Sequence, residues 1–164
     1  MNWLSILAAT FVPLIMGSIW YNPKTLGNAW MKEAGLTEDT MKGSNMALIF
    51  GLTFVFSFFV AFSMQFLTIH QMAIGSLLAD DPNLYTPGSA GNNRMNELMT
   101  EFGGKFRTYK HGALHGLISG IFLIFPIFAI NALFERKSWK YIFINAGYWT
   151  ICFVIMGAII CGWE

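Results

Sequence analysis

The distribution of charge along the chain constrains its fold more than any other feature of the sequence. Although the chain has 10 basic and 9 acidic side chains, four long stretches carry none of them. Each stretch is long enough to cross a hydrocarbon layer about 30 Å thick, which takes about 20 apolar residues in a helix. The charge-free stretches are residues 1–23, 43–79, 111–134 and 141–163.

This pattern predicts an integral membrane protein of the all-α class. A water-soluble domain needs a charged outer face on its helices, and these stretches offer none. The formal net charge of +1 provides no basic surface for phosphates. The composition therefore argues against a nucleic-acid binder as well as a cytosolic enzyme. We expect the lipid bilayer to be the main partner of the chain.

The expected fold is a four-transmembrane-helix antiparallel bundle that forms a single integral membrane domain over residues 1–164. The second charge-free stretch is too long for one simple span, so we expect its helix either to continue past the membrane or to tilt strongly. Pro13 and Pro126 should each kink a span, because proline removes a backbone donor. The predicted spans are about 3–21, 46–69, 111–134 and 141–163.

Two amphipathic segments are predicted outside the spans. Asn22 and Pro23 form a helix-start signal, which predicts an interfacial helix at about 23–34. After the second span comes an extramembrane excursion of about 70–110, where apolar residues at spacings of three and four predict an external amphipathic helix at about 94–108. The two short links carry more basic residues than the terminal side of the membrane, which predicts external termini.

A ridge of small residues marks the third span. Gly112, Gly116 and Gly120 are four residues apart, with Ser119 on the adjacent polar ridge. Small residues at this spacing let a second helix approach closely. We expect a tight helix–helix contact whose partner is either inside the chain or in a second copy. The leading hypothesis for function is a non-catalytic subunit that forms a homo-oligomer, or joins another membrane subunit, through this face.

The three histidines suggest a different function. His70 ends the second span, and His111 and His115 begin the third, so all three belong at the same membrane surface. His111 and His115 are one helical turn apart and could share a metal, with His70 as a third ligand. A haem held between paired histidines is a related alternative. Either would make the chain a redox or enzyme subunit, whereas the leading hypothesis needs no cofactor.

Polar side chains inside the predicted spans offer a third hypothesis. Several copies of the chain could assemble around one axis and form a channel or transporter for a small solute or ion. The alternative is that amides and hydroxyls at this depth form hydrogen bonds to neighbouring helices and have a structural role only. No motif for nucleophilic catalysis occurs in the sequence, so we assign no catalytic residue. The main polar intramembrane residues are Gln65, Asn131, Asn145 and Tyr148.

Several strings follow the pattern of a known family, namely Trp20-Tyr21-Asn22-Pro23, Asn131-Ala132-Leu133-Phe134-Glu135 and Asn145-Ala146-Gly147-Tyr148. On these strings the chain resembles domain-of-unknown-function family 1761 over roughly residues 1–70 and 111–162. The resemblance implies a small bacterial four-helix protein of the inner membrane without an established activity, and it carries over no functional residue. The chain departs from the family pattern in the 71–110 excursion and at Asn22, where we expect Ser.

Overall fold

The computed structural model describes residues 2–163, which fold into helices and loops with no strand among them. This confirms the all-α class. Four helical segments are long and apolar enough to cross a membrane, so the chain is a multi-pass membrane protein. They are span 1 (Trp3–Trp20), span 2 (Met46–Thr68), span 3 (Tyr109–Phe134) and span 4 (Trp139–Gly162).

Both prolines lie where a span departs from regular α-helix. Span 1 breaks at Phe11, two residues before Pro13, and span 3 contains a π-helical turn that ends two residues before Pro126. The helices in chain order are α1 Trp3–Thr10, α2 Val12–Trp20, α3 Gly27–Ala34, α4 Glu38–Met41, α5 Met46–Thr68, α6 Met72–Leu77, α7 Ala90–Phe102, α8 Tyr109–Ser119, the π-helical turn Gly120–Ile124, α9 Phe125–Phe134 and α10 Trp139–Gly162.

Span 4 is the centre of the bundle. It contacts the other three spans, and its inward residues form a large part of the buried core. Spans 1 and 2 add residues such as Ile6 and Met64, which are fully buried in the same apolar cluster as Met156 of span 4. Since lipid is as apolar as these side chains, close packing rather than the exclusion of water holds the spans together.

The interfacial helix α3 starts at Gly27, so the predicted start at residue 23 is wrong. A turn precedes it, in which the Asn22 side chain accepts a hydrogen bond from the Lys24 amide at 2.9 Å. The Thr25 hydroxyl donates to the Trp20 carbonyl, also at 2.9 Å, and so caps the end of span 1. The Lys24 amide is thus already bonded within the turn, before α3 begins.

Polar contacts fix α3 to the link between spans 3 and 4. The Ser138 hydroxyl donates to the Glu33 carboxylate, and the Lys140 ammonium lies 3.7 Å from it. Lys137 donates to the Ala34 carbonyl at the end of α3, at 3.0 Å. A cation at the C-terminus of a helix interacts favourably with the helix dipole. The two short links of the chain therefore form one connected layer at this end of the bundle.

At the opposite end, the helix of span 2 does not continue past the membrane as predicted. It ends at Thr68, Ile69 is extended (φ −111°, ψ 100°), and a separate helix, α6, begins at Met72. The amphipathic helix also differs from the predicted 94–108. It covers Ala90–Phe102, because the Ser89 hydroxyl accepts from the Asn92 amide and caps an earlier start.

Two side chains hold the excursion against the bundle. The Gln71 amide donates to the carbonyls of Phe102 and Lys105, each at 2.7 Å, at the end of α7. The Arg107 guanidinium donates to the Cys161 carbonyl at 2.9 Å, at the C-terminus of span 4. The Arg107 contact satisfies a carbonyl that the end of span 4 leaves free. The chain between spans 2 and 3 is thus fastened directly over the ends of spans 2 and 4.

Candidate metal centre

The three histidines of the chain meet at one end of the bundle. Each offers a ring nitrogen, and these atoms lie within 4.8 Å of one another. The Nε2 atoms of His70 and His111 are 2.9 Å apart. His115 completes the cluster, with its ring centroid 4.5 Å from that of His111 and 4.9 Å from that of His70. The structure thus brings together the three histidines that the sequence predicted to lie at one surface.

Local structure explains why the three rings converge. Thr108 caps span 3 by accepting from the His111 amide at 3.1 Å, and this fixes the start of the helix that carries His111 and His115. These two residues are four apart and so share one face of that helix. His70 follows the extended residue Ile69, which ends span 2 where spans 2 and 3 are in contact. The cluster therefore joins two spans through their ends.

An aromatic ring that the sequence did not single out covers the cluster. The Phe106 ring stacks on His111 with centroids 5.1 Å apart and presents its edge to His70 at 5.9 Å. Its backbone has a φ of 62°, a left-handed conformation that costs an ordinary residue about 1–2 kcal/mol. The Phe106 carbonyl accepts from the Thr108 amide and from the Cys161 thiol. These bonds hold the backbone of Phe106 beside the cluster.

The geometry of the rings suits a small cation. His70 is exposed, and His111 and His115 are half-buried. In a tetrahedral zinc site, two histidine nitrogens about 2.0–2.1 Å from the metal lie about 3.3 Å apart. The 2.9 Å separation between His70 and His111 would need to widen by only a few tenths of an ångström. A haem between these two rings would need a wider separation, so a small cation is the closer match and the haem alternative stays a prediction.

Comparison with known families agrees with the resemblance seen in the sequence. One family model, described as protein of unknown function (DUF1761), matches residues 4–161. The chain belongs to this family. The matched range runs through the excursion and includes all three histidines. No curated protein and no solved structure matches the chain.

In this DUF1761 protein the glycine ridge of span 3 is used within the chain. A Cβ atom at Gly112 would collide with the Gly157 carbonyl, and one at Gly116 with the Phe153 carbonyl. At Gly120 a Cβ would lie 2.6 Å from a methyl carbon of Thr150. All three contacts are with span 4. The ridge is therefore covered by span 4, and a second copy of the chain has no access to it.

Ser119, next to this ridge, is half-buried where α8 meets the π-helical turn. Sequence alone left open whether the ridge packs inside the chain or against a second copy. The answer depends on which helix packs against the glycines. The short link between spans 3 and 4 places span 4 beside span 3, so span 4 occupies that position. Oligomerisation itself stays a prediction, and it requires another surface.

The predicted polar intramembrane residues do not come together. Gln65 is buried and donates to the Phe62 carbonyl at 3.1 Å. Asn145 is bonded to Tyr21 and Tyr141. The Tyr148 hydroxyl donates to the Pro13 carbonyl at 2.7 Å, and Asn131 is exposed on the outer face of span 3. Asn145 and Tyr148 thus tie span 4 to the region of span 1 within one DUF1761 chain, as interhelical polar side chains commonly do, whereas the Gln65 bond stays within its own helix.

Proposed function

We propose that this DUF1761 protein binds a divalent transition metal at the membrane surface through His70, His111 and His115. One observation carries the proposal: the chain has 3 histidines, and all of them meet although His70 and His111 are 41 residues apart in sequence. Neutral imidazole suits Zn²⁺, Cu²⁺ and Ni²⁺. Zinc is the probe we choose because tetrahedral coordination fits the spacing of the nitrogens.

The hydrogen bonding of the cluster supports a cation rather than satisfied histidines. Within residues 2–163, the one side-chain hydrogen bond of these rings joins His70 to His111. No carboxylate or cysteine joins the group among the described residues. The three imidazoles face one another and have few other polar partners. A metal ion bound between them would give their free ring nitrogens a partner. Three protein ligands leave a fourth position open, as in zinc sites that bind water or substrate.

Metal affinity of purified protein tests this proposal. The protein in zwitterionic detergent would be stripped with a chelator, and its affinity for Zn²⁺ measured by competition with a chromophoric chelator. We expect His70→Ala and His115→Ala each to weaken binding at least about tenfold, as changes around metal ligands commonly do. Lys110→Gln is the matched control, because Lys110 is exposed and adjacent to His111. An unchanged affinity in the triple histidine variant would contradict the proposal.

A second function is favoured by one residue on the outer face of the bundle. Asn131 is exposed on span 3, and its side chain forms no hydrogen bond with the described residues. An unpaired amide facing lipid is unfavourable, and a partner helix can satisfy it. We propose that this face, rather than the glycine ridge, joins a second copy of the chain in a non-catalytic membrane complex.

Native mass in mild detergent tests this second function. We expect the parent protein to be oligomeric and Asn131→Leu to shift it toward the monomer. Ile127→Leu is the matched control, since Ile127 lies one turn away and is 49% exposed. A monomeric parent, or an Asn131→Leu variant with the mass of the parent oligomer, would refute assembly through Asn131.

A further inference from the structure

A cavity of about 470 Å³ lies beside the histidines, between α6 and α7. Its volume falls in the range of sites that bind small molecules. Apolar side chains from both helices form its walls, while His70 and Phe106 lie at one end. The apolar wall residues are Ile74, Leu77, Leu78, Leu98 and Phe102.

The two helices run in opposite directions, and this gives the cavity two distinct ends. Gln71, just before α6, is bonded to Phe102 at the end of α7. Further along α6, a Cβ at Gly75 would lie 3.5 Å from the side chain of Met95, near the start of α7. Lys105 therefore lies at the end near the histidines, and Arg94 at the other end.

The cations at the two ends differ in their partners. Arg94 is paired with Glu97, at 3.3 Å, on the same helix. Lys105 has no carboxylate within salt-bridge distance among residues 2–163, and its ammonium lies 4.5 Å from the centre of the Phe102 ring. An unpaired cation beside apolar walls attracts an anion that carries its own apolar surface. The charge of the cavity is thus concentrated at the end near His70.

We propose that this cavity binds a long-chain carboxylate, with its hydrocarbon chain between α6 and α7 and its carboxylate at Lys105. The apolar walls match the chain, and the unpaired ammonium matches the single negative charge. The surrounding bilayer supplies such amphiphiles, because α6 directly follows span 2 at the membrane surface. Leu77 of α6 is 79% exposed, which suits a helix that touches lipid.

This proposal goes beyond the metal site and does not depend on it. His70 lines the cavity and also belongs to the histidine cluster, so the carboxylate would lie on the side of the histidines. Binding to Lys105 nevertheless requires only the chain's own charge and apolar surface. The experiment is therefore done with a chelator present, so that a failure of metal binding does not affect it.

Photolabelling of the full chain in nanodiscs of uncharged lipid tests the proposal. A long-chain carboxylate with a photoreactive group would be added, and labelled residues mapped by mass spectrometry. We expect labelling of Leu98 and Phe102 to fall when dodecanoate competes, but not with the same concentration of dodecanol. Phe56 and Phe59 of span 2 are 61% and 59% exposed. Labelling of these two residues serves as the internal reference, because it reports the probe that is dissolved in the lipid and not bound in the cavity.

Variants of Lys105 separate the head-group contact from simple partitioning. We expect Lys105→Gln to lower labelling of the cavity about tenfold, the effect of losing a hydrogen bond to a charged group, and Lys105→Arg to preserve it. Lys110→Gln removes the same charge from an exposed position outside the cavity and should leave labelling unchanged. Equal competition by dodecanol, or undiminished labelling of Lys105→Gln, would overturn the proposal.

Discussion

Spans 3 and 4 pack backbone against backbone, whereas span 2 meets the rest of the bundle along a narrow strip. In the most apolar 18 residues of span 4, 50% are buried, compared with 11% in span 2. Gly112 and Gly116 approach span 4 so closely that neither position has space for a Cβ. The buried residues of span 2 are Ser57, Ala61, Met64, Gln65 and Thr68.

This difference places the candidate site at a boundary between firmly and loosely packed parts of the molecule. His111 and His115 belong to the helix that is packed against span 4, while His70 follows span 2. A ligand held by all three would therefore connect the loosely packed span 2 to the closely packed spans 3 and 4. Sites that bind and release ligands are commonly drawn from the less stable parts of a protein.

The largest expected effect comes from breaking the tight pair. Gly116→Leu should destabilise the protein by about 3 kcal/mol, because the new side chain would collide with the backbone of Phe153 and Val154. Thermal loss of monodisperse protein in detergent would measure it. Gly51→Leu is the matched control in span 2, where nothing lies within 4 Å of the Cβ position. Equal stability of the two variants would show that the close packing is not needed.

Metal binding should stabilise span 2 and so reduce the difference in stability between span 2 and the pair formed by spans 3 and 4. At a free Zn²⁺ concentration about 100 times the dissociation constant, binding to the folded state alone adds about 2.7 kcal/mol of stability. In His115→Ala, with binding at least about tenfold weaker, the gain should fall to about 1.4 kcal/mol or less at the same free Zn²⁺ concentration. Hydrogen exchange should slow most around Ile69 and His70, since these residues hold the end of span 2. Protection confined to span 4 would contradict a metal shared between spans.

A smaller effect is expected from one polar contact inside the bundle. Tyr148→Phe removes the 2.7 Å hydrogen bond from Tyr148 to the Pro13 carbonyl, which joins span 4 to span 1. Interhelical bonds of this kind contribute about 0.6 kcal/mol on average. Tyr109→Phe, at an exposed position, should have no measurable effect on thermal stability in detergent. A Tyr148→Phe variant as stable as the parent would show that other contacts suffice there.

The smallest effect is a dependence on pH at the opposite end of the bundle. The Ser138 hydroxyl and the Lys140 ammonium hold the pKa of the Glu33 carboxyl below its usual value. Because the pKa is lower in the folded protein, this contact stabilises the docking of α3 above the usual glutamate pKa of about 4.3, and the stabilisation is lost as the pH falls further. Proteolysis near α3 should quicken in acid, and Glu33→Gln should remove that dependence.

The spans were predictable because bilayer thickness fixes their length. The four apolar helices begin and end within two residues of the predicted spans, for example Tyr109–Phe134 against the predicted 111–134. The left-handed Gly35 (φ 77°) ends α3 as a glycine after a helix commonly does. The start of α3 was not predictable in the same way. The turn at Asn22 and Thr25 depends on bonds back to span 1, which a local pattern does not contain.

The histidine cluster was predictable in part. The four-residue spacing of His111 and His115, and the position of His70 after span 2, placed all three at one surface. Their close contact depends on the extended residue Ile69, which replaces the continuous helix expected from an unbroken apolar stretch. Phe106 and the cavity were missed, because both depend on how α6 and α7 fold back over the spans. A phenylalanine in the left-handed conformation has no signal in the sequence.

The central position of span 4 has a consequence for biogenesis. Translation proceeds from span 1 onward, so the first three spans enter the bilayer before their common partner has been made. During that interval the glycines of span 3 face lipid without the backbone that later covers them. Ribosome stalling before Trp139 would therefore leave an incomplete assembly, which membrane quality control should recognise and degrade. Packing of the bundle accordingly waits for the synthesis of span 4.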